Sequence, residues 1–317
     1  MYLAYNAVTN QYVLAVAGTN AISWFGWLVE DFSTIRTEPW SAVVPNTPAT
    51  NANISKGTYT GLNILLNEIN SQYSGDQQSI VEFLTSEMVN ATPGATLAVT
   101  GHSLGGALSP TLATYLKETQ ATWDPTGNVS VVSAYPTAGP TPGDEAFAKH
   151  IETEIASNYH ASYNVIDMVP HAWEATMMYE IPTLYTGCSI SAPKIIQDAV
   201  DLLIAATLLN GYTQAKPLTS LSGTCYATEP QLIKDIIGEI SPAVLKKLES
   251  YGLGDITNLV NFLLEVVYQH TTAYNSLLNR EDFSKLFDQA TGTKPNYTHL
   301  VLTVIDELLQ VFNAFSK

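Results

Sequence analysis

The chain has 317 residues, of which 46% are hydrophobic and 13% charged, and this composition is typical of a packed globular protein. Its formal net charge of −16 argues against nucleic acid as a partner and against electrostatic attraction to anionic lipid. Any contact with a lipid surface would therefore be hydrophobic, and the sequence indicates no protein partner.

The first 185 residues alternate predicted strands and helices. The opening 19 residues indicate two strands joined near Thr9 and Asn10, and the second is apolar enough to be buried. Further strands are predicted at 95–100, 129–134 and 162–166, and helices at 57–90, 104–118 and 144–157. This alternation is typical of a mainly parallel sheet that helices cover on both faces.

Beyond about residue 185 the pattern becomes helical. Segments 193–209, 230–249 and 255–268 have helical periodicity, with no strand candidate among them. We interpret residues 186–267 as a helical insert or cap within a single α/β domain spanning 1–317. The two cysteines, Cys188 and Cys225, lie at its near edge, and one disulfide or two buried thiols both remain open.

Targeting and cofactor signals are missing from the sequence. The longest apolar run, Leu202 to Leu209, is far shorter than the roughly 20 residues that span a bilayer. The opening MYLAYNAVTNQ has no basic and no long apolar region, so we expect no signal peptide in this chain. Secretion stays open if the N-terminus was trimmed. Neither a metal nor an organic cofactor is expected, because HExxH, CxxC and GxGxxG motifs do not occur.

A candidate nucleophile lies in the segment GHSLGGALS, residues 101–109. The pattern Gly-x-Ser-x-Gly arises by chance in roughly one chain in ten of this length and is weak alone. Its setting strengthens it, because a buried strand precedes Ser103 and a helix follows, as in turns that lift a nucleophilic serine above a sheet edge. The backbone N–H of Leu104, at the helix N-terminus, is the natural first donor to an oxyanion.

Several motifs resemble, in the same order, those of the fungal-type (class 3) lipases of the α/β-hydrolase superfamily. They are VLAVAGT (13–19), WLVEDF (27–32), ISKGTYTGLNIL (54–65), GHSLGGAL (101–108), AGPTPGDEAFAKHI (138–151) and YNVIDMVPHAW (163–173). The resemblance covers residues 11 to about 175 and one histidine beyond them. It departs from the family at the arginine missing before Gly18 and at Thr141 and Pro142, which stand where the family has Pro-Arg. It implies an α/β-hydrolase fold and ester hydrolysis by a serine nucleophile.

The acid and the base follow from chain order, which in α/β-hydrolases is Ser, then Asp or Glu, then His. Asp167 follows a predicted strand and matches the family's triad aspartate, whereas Asp144 is better explained as a helix N-cap. His270 is the preferred base because Tyr274 matches an aromatic residue of the family, and His299 is the alternative.

The remaining histidines receive other interpretations. His150 and His160 precede Asp167, which breaks the expected order. His102 belongs to the turn at the nucleophile, and the resemblance implies that His171 lines the substrate pocket.

The segment after the second strand carries two further expectations. The resemblance implies that the backbone N–H of Thr19 is the second oxyanion donor. It also implies that the apolar segment 20–32 is a lid, although permanent core is equally consistent with its side chains, which include Trp24, Phe25, Trp27 and Leu28. A cap role for the helix at 195–209 is a minor alternative, since amphipathic helices more often pack permanently.

The sequence therefore predicts a carboxylic ester hydrolase, with a triacylglycerol lipase preferred and a Ser103–His270–Asp167 triad acting through an acyl-enzyme. The alternatives are a phospholipase A1, a feruloyl or short-chain esterase on the same fold, and a non-catalytic acyl-binding protein.

Overall fold

The computed structural model describes residues 1–18, 34–67, 78–280, 285 and 296–315. These residues form two compact units, which we call the sheet unit and the helical unit. The sheet unit contains residues 1–18, 34–162 and 210–219, and the helical unit contains residues 163–209 and 220–315. In the described part of the chain, no helix is long and apolar enough to cross a membrane.

A six-stranded, mainly parallel sheet is the centre of the fold. The strands of the described chain are β1 (Tyr2–Asn6), β2 (Gln11–Val16), β3 (Thr37–Pro39), β4 (Asn53–Ser55), β5 (Ala95–His102), β6 (Val129–Thr137), β7 (Ala161–Asn164) and β8 (Leu218–Leu221). The order in the large sheet is β1-β2-β5-β6-β7-β8, and β3 pairs with β4 separately. The β2–β5, β5–β6 and β6–β7 pairs are parallel, whereas β1 and β2 form an antiparallel hairpin. The predicted α/β fold class is confirmed.

The burial of the strands explains why this sheet forms. In β2 every second side chain is buried, namely Tyr12, Leu14 and Val16, as expected for a strand near a sheet edge. The central β5 is apolar without interruption over Leu97, Ala98 and Val99, because a strand with parallel neighbours on both sides is covered on both faces.

Five helices flank the strands in the sheet unit. They are α1 (Lys56–Asn67), α2 (Ile80–Met88), α3 (Leu104–Glu118), α4 (Gln120–Trp123) and α5 (Glu145–Glu154). Helix α2 begins at a capping box in which the Ser79 and Glu82 side chains each bind the other's backbone N–H. Helix α5 begins after Asp144, whose carboxylate accepts the Phe147 N–H at 2.8 Å, so the predicted N-cap role of Asp144 is confirmed.

The helical unit contains α6 (Ala175–Met178), α7 (Lys194–Thr207), α8 (Pro230–Glu239), α9 (Pro242–Ser250), α10 (Ile256–His270), α11 (Ala273–Leu277) and α12 (Tyr297–Phe315). Helix α10 packs against α8 and α12 through buried apolar side chains that include Leu259, Phe262 and Leu263. Cys188 and Cys225 form a disulfide within this unit, which decides between the two states that the sequence left open.

One strand was not expected, and three predicted elements are corrected. Strand β8 lies at 218–221, where no strand was expected, and the strand predicted at 162–166 ends at Asn164. The helix predicted at 230–249 is two helices, because Ser241 caps α9 and Pro242 occupies its first turn. The helix predicted at 57–90 is α1 and α2, and residues 68–77 lie outside the described chain.

Candidate active site

Ser103 lies at a sharp turn between β5 and α3. Its backbone has φ 62° and ψ −126°, a conformation that is strained for any residue with a side chain. The turn leaves no room for a Cβ atom at either glycine of the motif. A Cβ on Gly101 would lie 2.2 Å from the carbonyl oxygen of Gly105, and one on Gly105 would lie 2.5 Å from that of Val16. The two glycines of the Gly-x-Ser-x-Gly motif are therefore required by the close approach of the backbone.

The N-terminus of α3 follows Ser103 directly. The Ser103 carbonyl accepts the N–H groups of Gly106 at 2.8 Å and Ala107 at 3.2 Å, so the helical bonding starts at the serine itself. The N–H of Leu104, the first helical residue, has no acceptor in its own helix, because the first N–H groups of any α-helix lack one. This N–H group and the helix dipole favour negative charge beside the serine.

Asp167 and His270 form a buried pair in the helical unit. His270 Nδ1 lies 2.9 Å from Asp167 Oδ2 and 3.1 Å from Oδ1, and the side-chain exposures are 2% for His270 and 0% for Asp167. Because a carboxylate only accepts hydrogen bonds, Nδ1 is the donor. His270 is the last residue of α10, and 103 residues separate it from Asp167. The structure thus brings Asp167, the predicted acid, into contact with His270, the preferred of the two candidate bases.

Two further donors hold the Asp167 carboxylate. The Val169 N–H donates to Oδ1 at 3.0 Å, and the Tyr274 hydroxyl donates to Oδ2 at 2.9 Å. Burial and the nearby charge of Asp167 raise the pKa of Tyr274 well above its ordinary value, so its hydroxyl keeps its proton. His171 Nδ1 donates to the backbone carbonyl of Asp167 at 2.7 Å. Asp167 is therefore fixed through its side chain and its backbone.

Behind Tyr274 lies a chain of buried polar groups that sequence reasoning missed. The Tyr274 hydroxyl accepts the N–H of Asn164 at 2.9 Å, and Asn164 Nδ2 donates to Gln269 Oε1 at 2.8 Å. Gln269 Nε2 donates to Glu265 Oε2 at 2.9 Å. The available signal was the placement of Glu265 and Gln269 four residues apart in an otherwise apolar helix that ends at His270.

The other candidate histidines lie elsewhere. His299 is exposed in the first turn of α12, where its N–H donates to Asn296 Oδ1 at 3.1 Å. His102 is half-buried beside Ser103, and His171 is buried with Nε2 3.5 Å from Glu180 Oε2. His150 binds Glu118 at 2.6 Å in the sheet unit.

Five predicted site residues, Thr19, Trp24, Phe25, Trp27 and Leu28, lie outside the described residues, as does the lid segment 20–32. Within the described residues, no group of three or more His, Cys, Asp or Glu side chains could hold a metal ion.

An apolar pocket lies within the helical unit, and the loop that carries Asp167 forms part of its wall. Its cavity volume is about 40 Å³. Two methionines lend it adaptable walls. The lining residues come from that loop, from α6, α7, α10 and α12, and from the 3-10 turn that follows α6: Met168, Val169, Ala172, Trp173, Met178, Ile181, Ile196, Ala199, Val200, Leu203, Leu263, Val304 and Leu308.

Comparison with protein families identifies the chain. A family model described as Lipase (class 3) matches residues 13–177, more than half of the sequence. The chain belongs to the class 3 lipase family. As a member of this lipase family it is an ester hydrolase, and the resemblance drawn from its motifs is confirmed. The matched range includes Ser103 and Asp167, whereas His270 and most of the pocket walls lie beyond it.

One solved lipase structure shares the fold over most of the chain, and two others match it less extensively. The crystal structure of M37 lipase is 26% identical, with a TM-score of 0.66, and the match covers 90% of this chain and 77% of that one. The Rhizomucor miehei lipase propeptide complex is 23% identical with a TM-score of 0.39, covering 55% of this chain and 47% of that one. Lip2 lipase from Yarrowia lipolytica is 16% identical with a TM-score of 0.47, covering 72% and 62%. The comparison with curated protein sequences finds no match.

Proposed function

We propose that this class 3 lipase hydrolyses acylglycerols through an acyl-enzyme on Ser103, with His270 as the general base and Asp167 as its orienting acid. The observation that carries the proposal is the buried contact of 2.9 Å between His270 Nδ1 and Asp167 Oδ2. The strained backbone of Ser103 supports it independently, because strain of this kind persists where function requires it.

The Asp167–His270 contact determines which ring nitrogen of His270 carries the proton. With its Nδ1 proton donated to the carboxylate, His270 carries its lone pair on Nε2 and takes up a proton there. In the first step His270 removes the Ser103 hydroxyl proton while the serine oxygen bonds to the ester carbonyl carbon. The imidazolium then gives this proton to the departing alcohol oxygen. Water, deprotonated by His270 in turn, then bonds to the acyl carbonyl carbon, and as the carbon–oxygen bond to Ser103 breaks, His270 returns its proton to the serine oxygen and the carboxylic acid leaves.

Negative charge on the carbonyl oxygen needs donors while the tetrahedral intermediates exist. The Leu104 N–H at the start of α3 is one such donor, and we assign the second to the N–H of Thr19. Loss of one oxyanion donor costs about 3 kcal/mol of transition-state stabilisation in comparable enzymes.

The proposed substrate class rests on the pocket. The walls that the described residues form carry no charged side chain, so they favour a hydrocarbon chain over a polar or charged group. Met168 and Val169, the two residues that follow Asp167, are among its lining residues. The net charge of −16 also disfavours anionic phospholipids relative to neutral acylglycerols.

The test is the hydrolysis of p-nitrophenyl butyrate and palmitate and of tributyrin by wild type and three variants. Ser103→Ala and His270→Ala should each lose activity by more than about 10³-fold, while His299→Ala, a histidine variant at an exposed site, should retain it. A fluorophosphonate should label wild type and not Ser103→Ala. An active Ser103→Ala, or loss of activity in His299→Ala instead of His270→Ala, would refute the assignment.

A further inference from the structure

The helix that ends at His270 carries a buried pair of polar side chains that the triad chemistry leaves unused. Glu265 is 1% exposed and Gln269 is fully buried, and both lie on α10 among apolar residues. In the described part of the chain, no Lys or Arg forms an ion pair with Glu265. A buried carboxylate without a cation is costly, so its retention requires an explanation.

Hydrogen bonds from two donors compensate Glu265. Its Oε1 accepts the Tyr226 N–H at 2.8 Å, and its Oε2 accepts Gln269 Nε2 at 2.9 Å. Burial raises the pKa of Glu265, and these two hydrogen bonds lower it without offsetting burial completely. The ionised carboxylate accepts both bonds with full strength, whereas protonation would turn one of its oxygens into a hydroxyl, which is a weaker acceptor.

The bond from Gln269 to Glu265 fixes which way the Gln269 amide faces. Gln269 Nε2 also donates to the Thr224 carbonyl at 2.7 Å, so both of its protons are used. Its Oε1 consequently faces Asn164, whose Nδ2 donates to it at 2.8 Å. A reversed amide would place donors against donors at Asn164 and would leave the Glu265 carboxylate facing an oxygen.

Asn164 connects this pair to the triad acid. It is fully buried, and its backbone N–H donates to the Tyr274 hydroxyl at 2.9 Å, which in turn donates to Asp167 Oδ2. Its backbone carbonyl accepts the Asp167 N–H at 2.9 Å. Both the side-chain partner and the main chain of Asp167 are thus set by the position of Asn164.

We propose that Glu265 and Gln269 are positioning residues for the reaction: they lock Asn164, which through Tyr274 and its own carbonyl holds the Asp167 carboxylate on His270. The inference rests on the proposed triad. The Asp167 carboxylate stabilises the imidazolium that forms when His270 takes the serine proton. Fixed donors on both carboxylate oxygens hold the carboxylate in place for this, and a loosened carboxylate stabilises the imidazolium less.

The test is Glu265→Gln, with Glu239→Gln as the control, since Glu239 is exposed on α8 and its change removes the same charge. The amide at position 265 has one oxygen in place of two, so it accepts a hydrogen bond from the Tyr226 N–H or from Gln269 Nε2 but not from both. The Gln269 amide then loses the contact that fixes its orientation. For p-nitrophenyl butyrate we expect kcat to fall about tenfold with KM unchanged, while Glu239→Gln stays within about twofold of wild type. The acidic limb of the kcat profile should shift to lower pH, because a less firmly held Asp167 stabilises protonated His270 less.

A charge swap separates positioning from general stability. The double variant combines Glu265→Gln with Gln269→Glu. The glutamate at position 269 accepts hydrogen bonds from Asn164 Nδ2 and from the amide NH₂ at position 265. The amide oxygen at position 265 still accepts the Tyr226 N–H. Only the bond to the Thr224 carbonyl is lost. We expect kcat to return to within about threefold of wild type and the acidic limb to return to its wild-type pH. If Glu265→Gln does not fold, the double variant is compared directly with wild type.

The outcomes distinguish this proposal from the triad itself. Folded Glu265→Gln with wild-type kcat and an unmoved pH profile overturns the positioning role, even when Ser103→Ala is inactive. A folded double variant that is as impaired as Glu265→Gln also overturns the positioning role. If Glu265→Gln does not fold, an inactive but folded double variant overturns that role as well. An active Ser103→Ala refutes the triad instead.

Discussion

Replacing Asp167 by asparagine is the sharpest perturbation of the proposed acid–base pair. The carboxylate accepts three donors: His270 Nδ1, the Val169 N–H and the Tyr274 hydroxyl. Asparagine supplies one accepting oxygen, so its NH₂ group faces a donor in either amide orientation. Leaving one buried donor unsatisfied costs about 1–3 kcal/mol of folding free energy.

The effect on catalysis should be larger than that on stability. An NH₂ group beside His270 favours the tautomer protonated on Nε2, which cannot accept the serine proton. We expect kcat for p-nitrophenyl butyrate to fall by about 10⁴-fold, equivalent to about 5.5 kcal/mol of activation free energy. The control is Asp306→Asn, which removes the same charge from an exposed position on α12 and should leave kcat unchanged. A folded Asp167→Asn variant that keeps kcat within tenfold of wild type would refute the reasoning.

Three further predictions concern the pocket, the disulfide and the sheet unit. Ala199→Leu, which fills part of the pocket, should lower kcat/KM for p-nitrophenyl palmitate at least about tenfold more than for the acetate, and equal losses would contradict a hydrocarbon site. The Cys188–Cys225 bridge has a sequence separation of 37, so replacing both cysteines by alanine should cost about 4 kcal/mol in urea unfolding, and an unchanged midpoint would contradict this. Burial acts to raise the pKa of Glu118, but hydrogen bonds from His150 and other donors lower it overall. The ionised Glu118 therefore stabilises the fold at neutral pH, and this stabilisation is lost as pH falls through the lowered pKa. Glu118→Gln should therefore destabilise by about 2 kcal/mol at neutral pH, with the difference from wild type shrinking in acid, and a constant difference across the pH range would contradict the pairing.

The sequence was most informative where local chemistry alone sets the conformation. The glycines around Ser103 could be interpreted without tertiary information, because a strand, a sharp turn and a helix need them in that order. The same holds for Asp144, whose position before an amphipathic segment predicts an N-cap. Chain order left His270 and His299 open as partners of Asp167, and the resemblance at Tyr274 favoured His270, although nothing in the spacing gives the distance of the contact.

Elements that depend on tertiary neighbours were missed. Strand β8 has only four residues and no run of buried side chains, so its sequence lacks the alternation that marks a strand. Its pairing partner in the sheet, rather than its own propensity, makes it a strand. The break before α9 was signalled by Ser241 and Pro242 and was overlooked because the apolar periodicity continues across it.

The buried polar chain could not have been derived from the sequence. A glutamate in an apolar helix predicts either a solvent-facing position or a buried site with specific donors, and periodicity does not distinguish them. The donors to Glu265 come from the Tyr226 backbone and from Gln269, and the first of these is distant along the chain. Backbone donors carry no residue signature, so no motif records this contact.

Helix α10 combines two roles that can be separated experimentally. Leu263 lines the pocket about two helical turns before His270 on the same helix, whereas Leu308 lines it from α12 and is buried to the same extent. Truncating either to alanine removes equal hydrocarbon and should cost about 3 kcal/mol of stability. Both variants should raise KM for palmitate esters similarly, because each removes side-chain contacts that the wall of the same pocket offers to the acyl chain.

The two truncations should differ in kcat for p-nitrophenyl acetate, a substrate too short to depend on the depth of the pocket. A cavity at Leu263 loosens the helix that holds His270 against Asp167, so kcat should fall several-fold in Leu263→Ala and stay unchanged in Leu308→Ala. Equal kcat values for the two folded variants would mean that the end of α10 is held by the Asp167 and Asn164 contacts alone. In that case the strength of the base would be independent of the packing that selects the acyl chain.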